Sequence, residues 1–216
     1  MFLTEEEVNK VIRTVRGITP EDAVLTYMKQ YFRDEYSICI LDYICSTERF
    51  GPPGLQSKRV QFVTWGIEET RKCPTAFDMG VRKNVKNVFA RACQENDLHP
   101  DFHDPSNFFP VLSDIESDIT ELLFKKKRNQ IDAVLKSYSQ VRKQMYSTPC
   151  VHVFYETDED IVKNEENGLS SEIMNKISDM LGEVEGFEGR RLGHAVFTSL
   201  QTLREKYDNN TYYYLL

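Results

Sequence analysis

Residues 112–146 read LSDIESDITELLFKKKRNQIDAVLKSYSQVRKQMY. Leu112, Ile115, Ile119 and Leu122 lie at helical spacing, and Ile131, Val134, Tyr138, Val141 and Met145 continue the stripe close to a heptad. The pattern predicts one long, partly exposed helix near 112–146, with Lys125, Lys126, Lys127 and Arg128 between its halves. Such a helix would span about 50 Å, more than a compact domain of this size needs, so it kinks at the basic run or projects.

Working outward, helix signals dominate. Thr4 and Glu7 form a capping box ahead of Val8, Val11, Ile12 and Val15, and Gly17 ends that helix. Thr19 and Pro20 start a second, which runs through Val24, Tyr27, Met28, Tyr31 and Phe32 and is expected to reach Cys45. The Gly/Pro break at 50–54 follows. Residues 59–65 leave strand and helix tied. Beyond Pro74, Val81, Val85, Val88 and Phe89 mark a helix ending near Glu95, whose opposite face carries Arg82, Lys83, Lys86 and Arg91. A loop with Pro100, Pro105 and Pro110 leads into the long helix. After it, 150–156 alternates as a strand, Ser170 caps a helix through Ile173 and Ile177, and a last helix carries Leu192, Val196, Leu200 and Leu203. No internal repeat is visible. The predicted fold is mainly α: a single helical domain over 1–216, of about six or seven helices and one or two short strands. The 50–54 break is its one candidate subdivision.

Composition bounds the function. Thirteen Phe and eleven Tyr within 216 residues suit a packed core rather than disorder. Five cysteines at long, irregular spacings do not form a disulfide framework, which points to reduced thiols and an intracellular protein, cytoplasmic or nuclear. Glu5, Glu6 and Glu7 stand where a secretory signal would carry positive charge, so no signal peptide is expected, and the sequon at Asn209 is expected to stay unglycosylated. The longest apolar patch, 38–45, is interrupted by Asp42 and falls short of the roughly 20 residues of a membrane span. The net charge of −7 conceals two blocks of opposite sign. Lys125, Lys126, Lys127, Arg128, Lys136, Arg142 and Lys143 face Asp132 alone, whereas 151–189 holds many acids against Lys163 and Lys176 only.

Candidate chemistry is sparse. Cys93, His99 and His103 have Cys-x5-His-x3-His spacing with thiolate and imidazole ligands for zinc, but a structural site needs a fourth ligand. Cys39, Cys73 or Cys150 could meet His152 or His194, although no Gly-rich elbow surrounds them. No phosphate-binding glycine motif occurs, and no cofactor is expected. These features favour a protein–protein interaction module, an adaptor or assembly subunit without catalysis. Its partners would dock on Lys125, Lys126, Lys127 and Arg128 or on the apolar tail Tyr212, Tyr213, Tyr214, Leu215 and Leu216. The alternative is a nucleic-acid-associated factor using Arg82, Lys83, Lys86, Arg91, Lys136, Arg142 and Lys143. An unrecognised cysteine/histidine enzyme comes third. A homo-oligomer fits the first reading, and a membrane partner fits none.

Overall fold

The computed structural model describes residues 3–50, 57–72, 78–147 and 149–215. The chain forms two compact units, Met1–Glu116 and Ser117–Leu216. In the first lie α1 (Glu5–Val15), α2 (Ala23–Tyr36), β1 (Ile40–Phe50), β2 (Ser57–Thr64), α3 (Ile67–Arg71), α4 (Met79–Glu95), a 3-10 turn (Pro100–Phe102) and β3 (Phe108–Asp114). Helix α5 (Ile115–Ser137) opens the second, followed by β4 (Lys143–Ser147), β5 (Cys150–Tyr155), α6 (Asp158–Glu166), α7 (Leu169–Leu181), β6 (His194–Ser199), α8 (Leu200–Tyr207) and α9 (Thr211–Tyr214).

This overturns the mainly α expectation. Among the described residues the protein is mixed α/β, with two three-stranded sheets ordered β1-β2-β3 and β4-β5-β6. The expected long helix is three elements: β3 takes its start, α5 its middle, and β4 its end. Pro110 lacks an amide proton, and it is placed on β3, an edge strand paired with β2 only, where a missing donor is tolerated. Asp114 then ends the strand, its Oδ1 accepting from the Glu116 amide at 2.9 Å and from Gly66 at 2.7 Å. At the other end, Val141 and Met145 matched a helical stripe, but residues 143–147 pair with β5 in a hairpin.

Three further differences have similar causes. Helix α2 stops at Tyr36 because Ser37 takes a left-handed conformation (φ 55°) and donates its amide to the Arg33 carbonyl, doing the work usually left to glycine. The dense segment beyond it is β1. Strand β2 showed no clear alternation because it is central and buried on both faces: Val60, Gln61, Phe62, Val63 and Thr64 are all buried. Val196, expected on the last helix, lies on β6. By contrast the Thr4/Glu7 capping box, α4 and β5 form where the sequence placed them, and so does α7 except for its cap: Gly168 takes that position, and Ser170 lies inside the helix with its hydroxyl 3.0 Å from the Tyr155 phenol. The 51–54 part of the Gly/Pro break lies outside the described residues.

Both sheets share one wiring. An antiparallel hairpin is followed by two helices, and the third strand returns parallel to the hairpin's second strand. Aligned by their last paired residues, β2 and β5 set Val60 beside Val151, Phe62 beside Val153 and Val63 beside Phe154, while β3 and β6 set Ser113 beside Thr198 and Asp114 beside Ser199. Polarity recurs and identity mostly does not, which is why no repeat was visible in the sequence. Ser199 also caps the helix after its strand, accepting from the Thr202 amide, and bonds Asp158 at the start of α6.

In the first unit, α2 and α4 pack on the sheet through an aromatic cluster. Phe62 lies 4.9 Å from Phe32 and 5.5 Å from Phe89 between ring centres, and Phe89 also meets Tyr43, Phe102 and Phe108. Each such pair adds about 0.5–1.5 kcal/mol beyond the area it buries. Helix α1 lies against β1, where Thr14 donates to the buried carboxylate of Asp42 at 2.9 Å and Lys10 pairs with it at 3.3 Å. In the second unit, Ile131 and Leu135 of α5 and Ile173, Ile177 and Leu181 of α7 are buried with Val151, Val153 and Phe154 of β5.

Candidate docking cleft

Asp78 caps α4, its carboxylate accepting from Gly80 and Val81. The helix buries Val85, Phe89, Ala92 and Cys93; Lys83 is exposed, whereas Arg82 and Lys86 flank the buried face and are half-buried, which corrects the expectation that all three lie opposite it. These three side chains, with Met79, Gly80 and Asn87, form one side of a cleft of about 540 Å³, and Pro105 and Ser106 form the other. The loop carrying that second wall is held by two bonds: the Ser106 amide donates to Asp104 Oδ1 at 2.8 Å, and the Asn107 carbonyl accepts from the backbone amide of Lys58 on β2 at 3.0 Å.

The electrostatics are one-sided. Burial lowers the pKa of Lys86, the Asp104 carboxylate partly restores it, and Arg82 lowers it again. Its ammonium stands 5.8 Å from the centre of the buried Phe108 ring. Ser106 and, more weakly, Lys86 hold Asp104 below its ordinary range. The cleft is therefore a cationic surface with an apolar rim, since Met79 is 76% exposed.

The other expected residues fall elsewhere. Arg91 donates to the Tyr27 phenol at 2.7 Å and lies 4.0 Å from Glu95, so it does not join the cleft. The basic run is largely engaged within its own unit. Lys125 pairs with Glu121 at 2.8 Å, Lys127 donates to the Met180 and Leu181 carbonyls at the end of α7, and the Arg128 guanidinium sits 4.8 Å over the Tyr146 ring. Lys126 and Lys136 are exposed on α5. Arg142 pairs with Glu156 at 3.5 Å, and Lys143 lies over Phe154. In the tail, Tyr214 docks by its phenol on His152 Nδ1 at 2.8 Å and by its ring on Phe154 and Tyr207. Tyr212 and Tyr213 remain exposed, as does Leu215, and Leu216 lies outside the described residues.

The zinc spacing does not become a site. Cys93 is fully buried, His103 Nε2 points to the Leu98 carbonyl at 3.0 Å, and His99 turns to Tyr43. Among the described residues no group of three or more His, Cys, Asp or Glu is placed to hold a metal.

A second cavity of about 720 Å³ was missed by sequence reasoning. Tyr43 lines it, and its phenol donates to Asp22 Oδ2 at 2.7 Å and lies 2.6 Å from His99 Nε2. With Asp22 accepting the phenol proton, His99 Nε2 carries the hydrogen facing the phenol oxygen and Nδ1 is left as an acceptor. Burial lowers the pKa of His99, outweighing nearby Asp22, so the ring is neutral at neutral pH. His99 also holds a left-handed backbone (φ 47°), uncommon for a residue other than glycine. Cys45 lines the same cavity, but burial and the neighbouring Cys93 push its thiol well above its ordinary range. It is a protonated thiol, not a thiolate poised beside an imidazole. Asp22, Tyr43 and His99 come from three separated segments, so no spacing could have announced them.

No protein-family model, curated protein or solved structure matches the chain. No helix among the described residues is long and apolar enough to cross a membrane.

Proposed function

We propose that this protein is an intracellular interaction module whose docking face is the α4 cleft and whose partner is an acidic segment of another protein. The observation carrying the reading is the gathering of Arg82, Lys83 and Lys86 around one cleft, in a chain whose net charge is −7. The intracellular assignment is supported by Cys39, Cys45, Cys93 and Cys150, which are all free thiols. The test is fluorescence anisotropy with an acidic peptide library on wild type and a Lys83→Glu/Lys86→Glu variant. Binding that the double variant abolishes is the expected result. Equal binding by both proteins would remove the cleft from the function.

A second reading, acid–base chemistry at His99, is favoured by the Asp22–Tyr43–His99 chain, which orients a neutral imidazole as a general base requires. An activity screen over ester, amide and phosphoester substrates tests it. Turnover that survives His99→Gln would end it.

A further inference from the structure

On β5, His152 is held at both ring nitrogens. Its Nε2 lies 2.8 Å from Ser147 Oγ on β4, and its Nδ1 lies 2.8 Å from the Tyr214 phenol on α9. The hairpin register produces the first contact. Ser147 opposes Cys150 in the last rung, so it shares a face with His152 two residues along β5 and lies within diagonal reach of it. We propose that Ser147, His152 and Tyr214 form a nucleophilic serine site that accepts an acyl group from small apolar esters.

Each member has a role that its position allows. A serine hydroxyl is a weak nucleophile unless an adjacent base takes its proton, and that base must be held in the tautomer that leaves its facing nitrogen bare. The Tyr214 phenol is bonded to the Thr198 side chain as well as to His152. With its own hydrogen directed to Thr198, it accepts the hydrogen on Nδ1, and Nε2 is left to accept from Ser147. Burial lowers the pKa of His152, so the ring is neutral and able to take a proton at neutral pH. Cys150, in the same rung as Ser147, is not the nucleophile, because burial raises its pKa and keeps it a thiol.

In the acylation step, Ser147 Oγ bonds to the ester carbonyl carbon and the bond from that carbon to the leaving oxygen breaks. The serine proton passes to His152 Nε2 and from there to the leaving alcohol. Water attacking the acyl carbon by the same proton route releases the acid and restores the hydroxyl. Ser147 and His152 are the catalytic residues, and Tyr214 is a positioning residue. The substrate class follows from the register. Met145 and Val196 stand directly opposite His152 on the flanking strands, so both share its face, and Val196 is exposed. Lys143, on the same face of β4, is turned over the Phe154 ring, which suits an apolar acyl group better than a charged one.

The experiment treats the full chain with an alkyl fluorophosphonate, in which the Oγ–P bond forms and fluoride leaves, and maps the adduct by mass spectrometry. Hydrolysis of p-nitrophenyl butyrate is followed in parallel, and amide NMR spectra verify each variant's fold. The expected adduct is on Ser147, absent in Ser147→Ala and formed at least about tenfold more slowly in His152→Gln. Ester cleavage should rise with pH through a midpoint below the ordinary histidine value of 6.5 and then level off. Nitrogen-15 NMR should find the hydrogen of His152 on Nδ1, and Tyr214→Phe should lose that preference and slow labelling severalfold. No adduct at a large excess of probe, or an adduct only at other residues, would overturn the proposal. So would His152→Gln labelling as fast as wild type, or a wild-type ring carrying its hydrogen on Nε2. The wild-type adduct map and tautomer decide the matter even if a variant fails to fold, and neither bears on the docking reading at α4.

Discussion

The phenol of Tyr43 stands 2.6 Å from Nε2 of His99, joining the first strand to a turn fifty-six residues later. The bond fixes which ring nitrogen carries the hydrogen. In nitrogen-15 NMR near pH 7.5, His99 should show a protonated Nε2 and a bare Nδ1. Tyr43→Phe should lose that tautomer preference and destabilise the first unit by about 1–2 kcal/mol, because Asp22 and His99 both lose a partner. An unchanged tautomer in the variant would show that the phenol does not set it.

Burial lowers the pKa of both His99 and His152 from the ordinary value of 6.5. The unfolded chain therefore binds more protons than the folded one as pH falls from about 6.5 to the folded values, and stability drops with acidification in that window. It begins well above the range where Asp104 and Asp158, both held below the ordinary 3.8, start to protonate. Urea unfolding between pH 5 and 7.5 should show a slope that His99→Gln together with His152→Gln flattens.

Lys86 gives the corresponding effect on the alkaline side. Its folded pKa lies below the ordinary 10.5, so as pH rises between those two values the folded state has already shed a proton that the unfolded chain keeps. Stability contributed by this residue rises through that window. Lys86→Gln should remove the rise without destabilising the protein at pH 7. Denaturation of both proteins from pH 8 to 11 checks this.

Lys127 tests what the basic run is for. Its ammonium donates to two carbonyls at the C-terminal end of α7, where a cation meets the negative end of the helix dipole. Lys127→Met should cost about 1 kcal/mol. Lys125→Met, which breaks only the exposed pair with Glu121, should cost no more than about 0.5 kcal/mol. Equal losses in chemical denaturation would contradict the capping role.

Gly193 enters β6 at φ 69°, and a Cβ there would sit 2.6 Å from Leu181 Cδ1 and 3.2 Å from Phe124 Cζ. Gly193→Ala therefore adds backbone strain to a collision with the end of α7. A loss of about 2–3 kcal/mol is expected, read as a lowered melting temperature with native circular dichroism retained.

The local signals in the sequence were enough for α1, α4, α7 and β5, because a capping hydroxyl, a 3.6-residue stripe or a strict alternation is complete within its own segment. The same stripe did not give the cationic face of α4: Lys83 is exposed, but Arg82 and Lys86 flank the buried Val85 and Phe89 and are half-buried. Tertiary structure decided the rest. Residues 108–114 and 143–147 became strands because β2 and β5 supply ladder partners, and those hydrogen bonds depend on chain segments that no local window contains. Central β2 hid its period because both its faces are buried. The cleft's far wall, the Asp22–Tyr43–His99 chain and the seat of Lys127 on α7 exist only once separated segments meet, so side-chain identity could nominate the residues but not the groups they form.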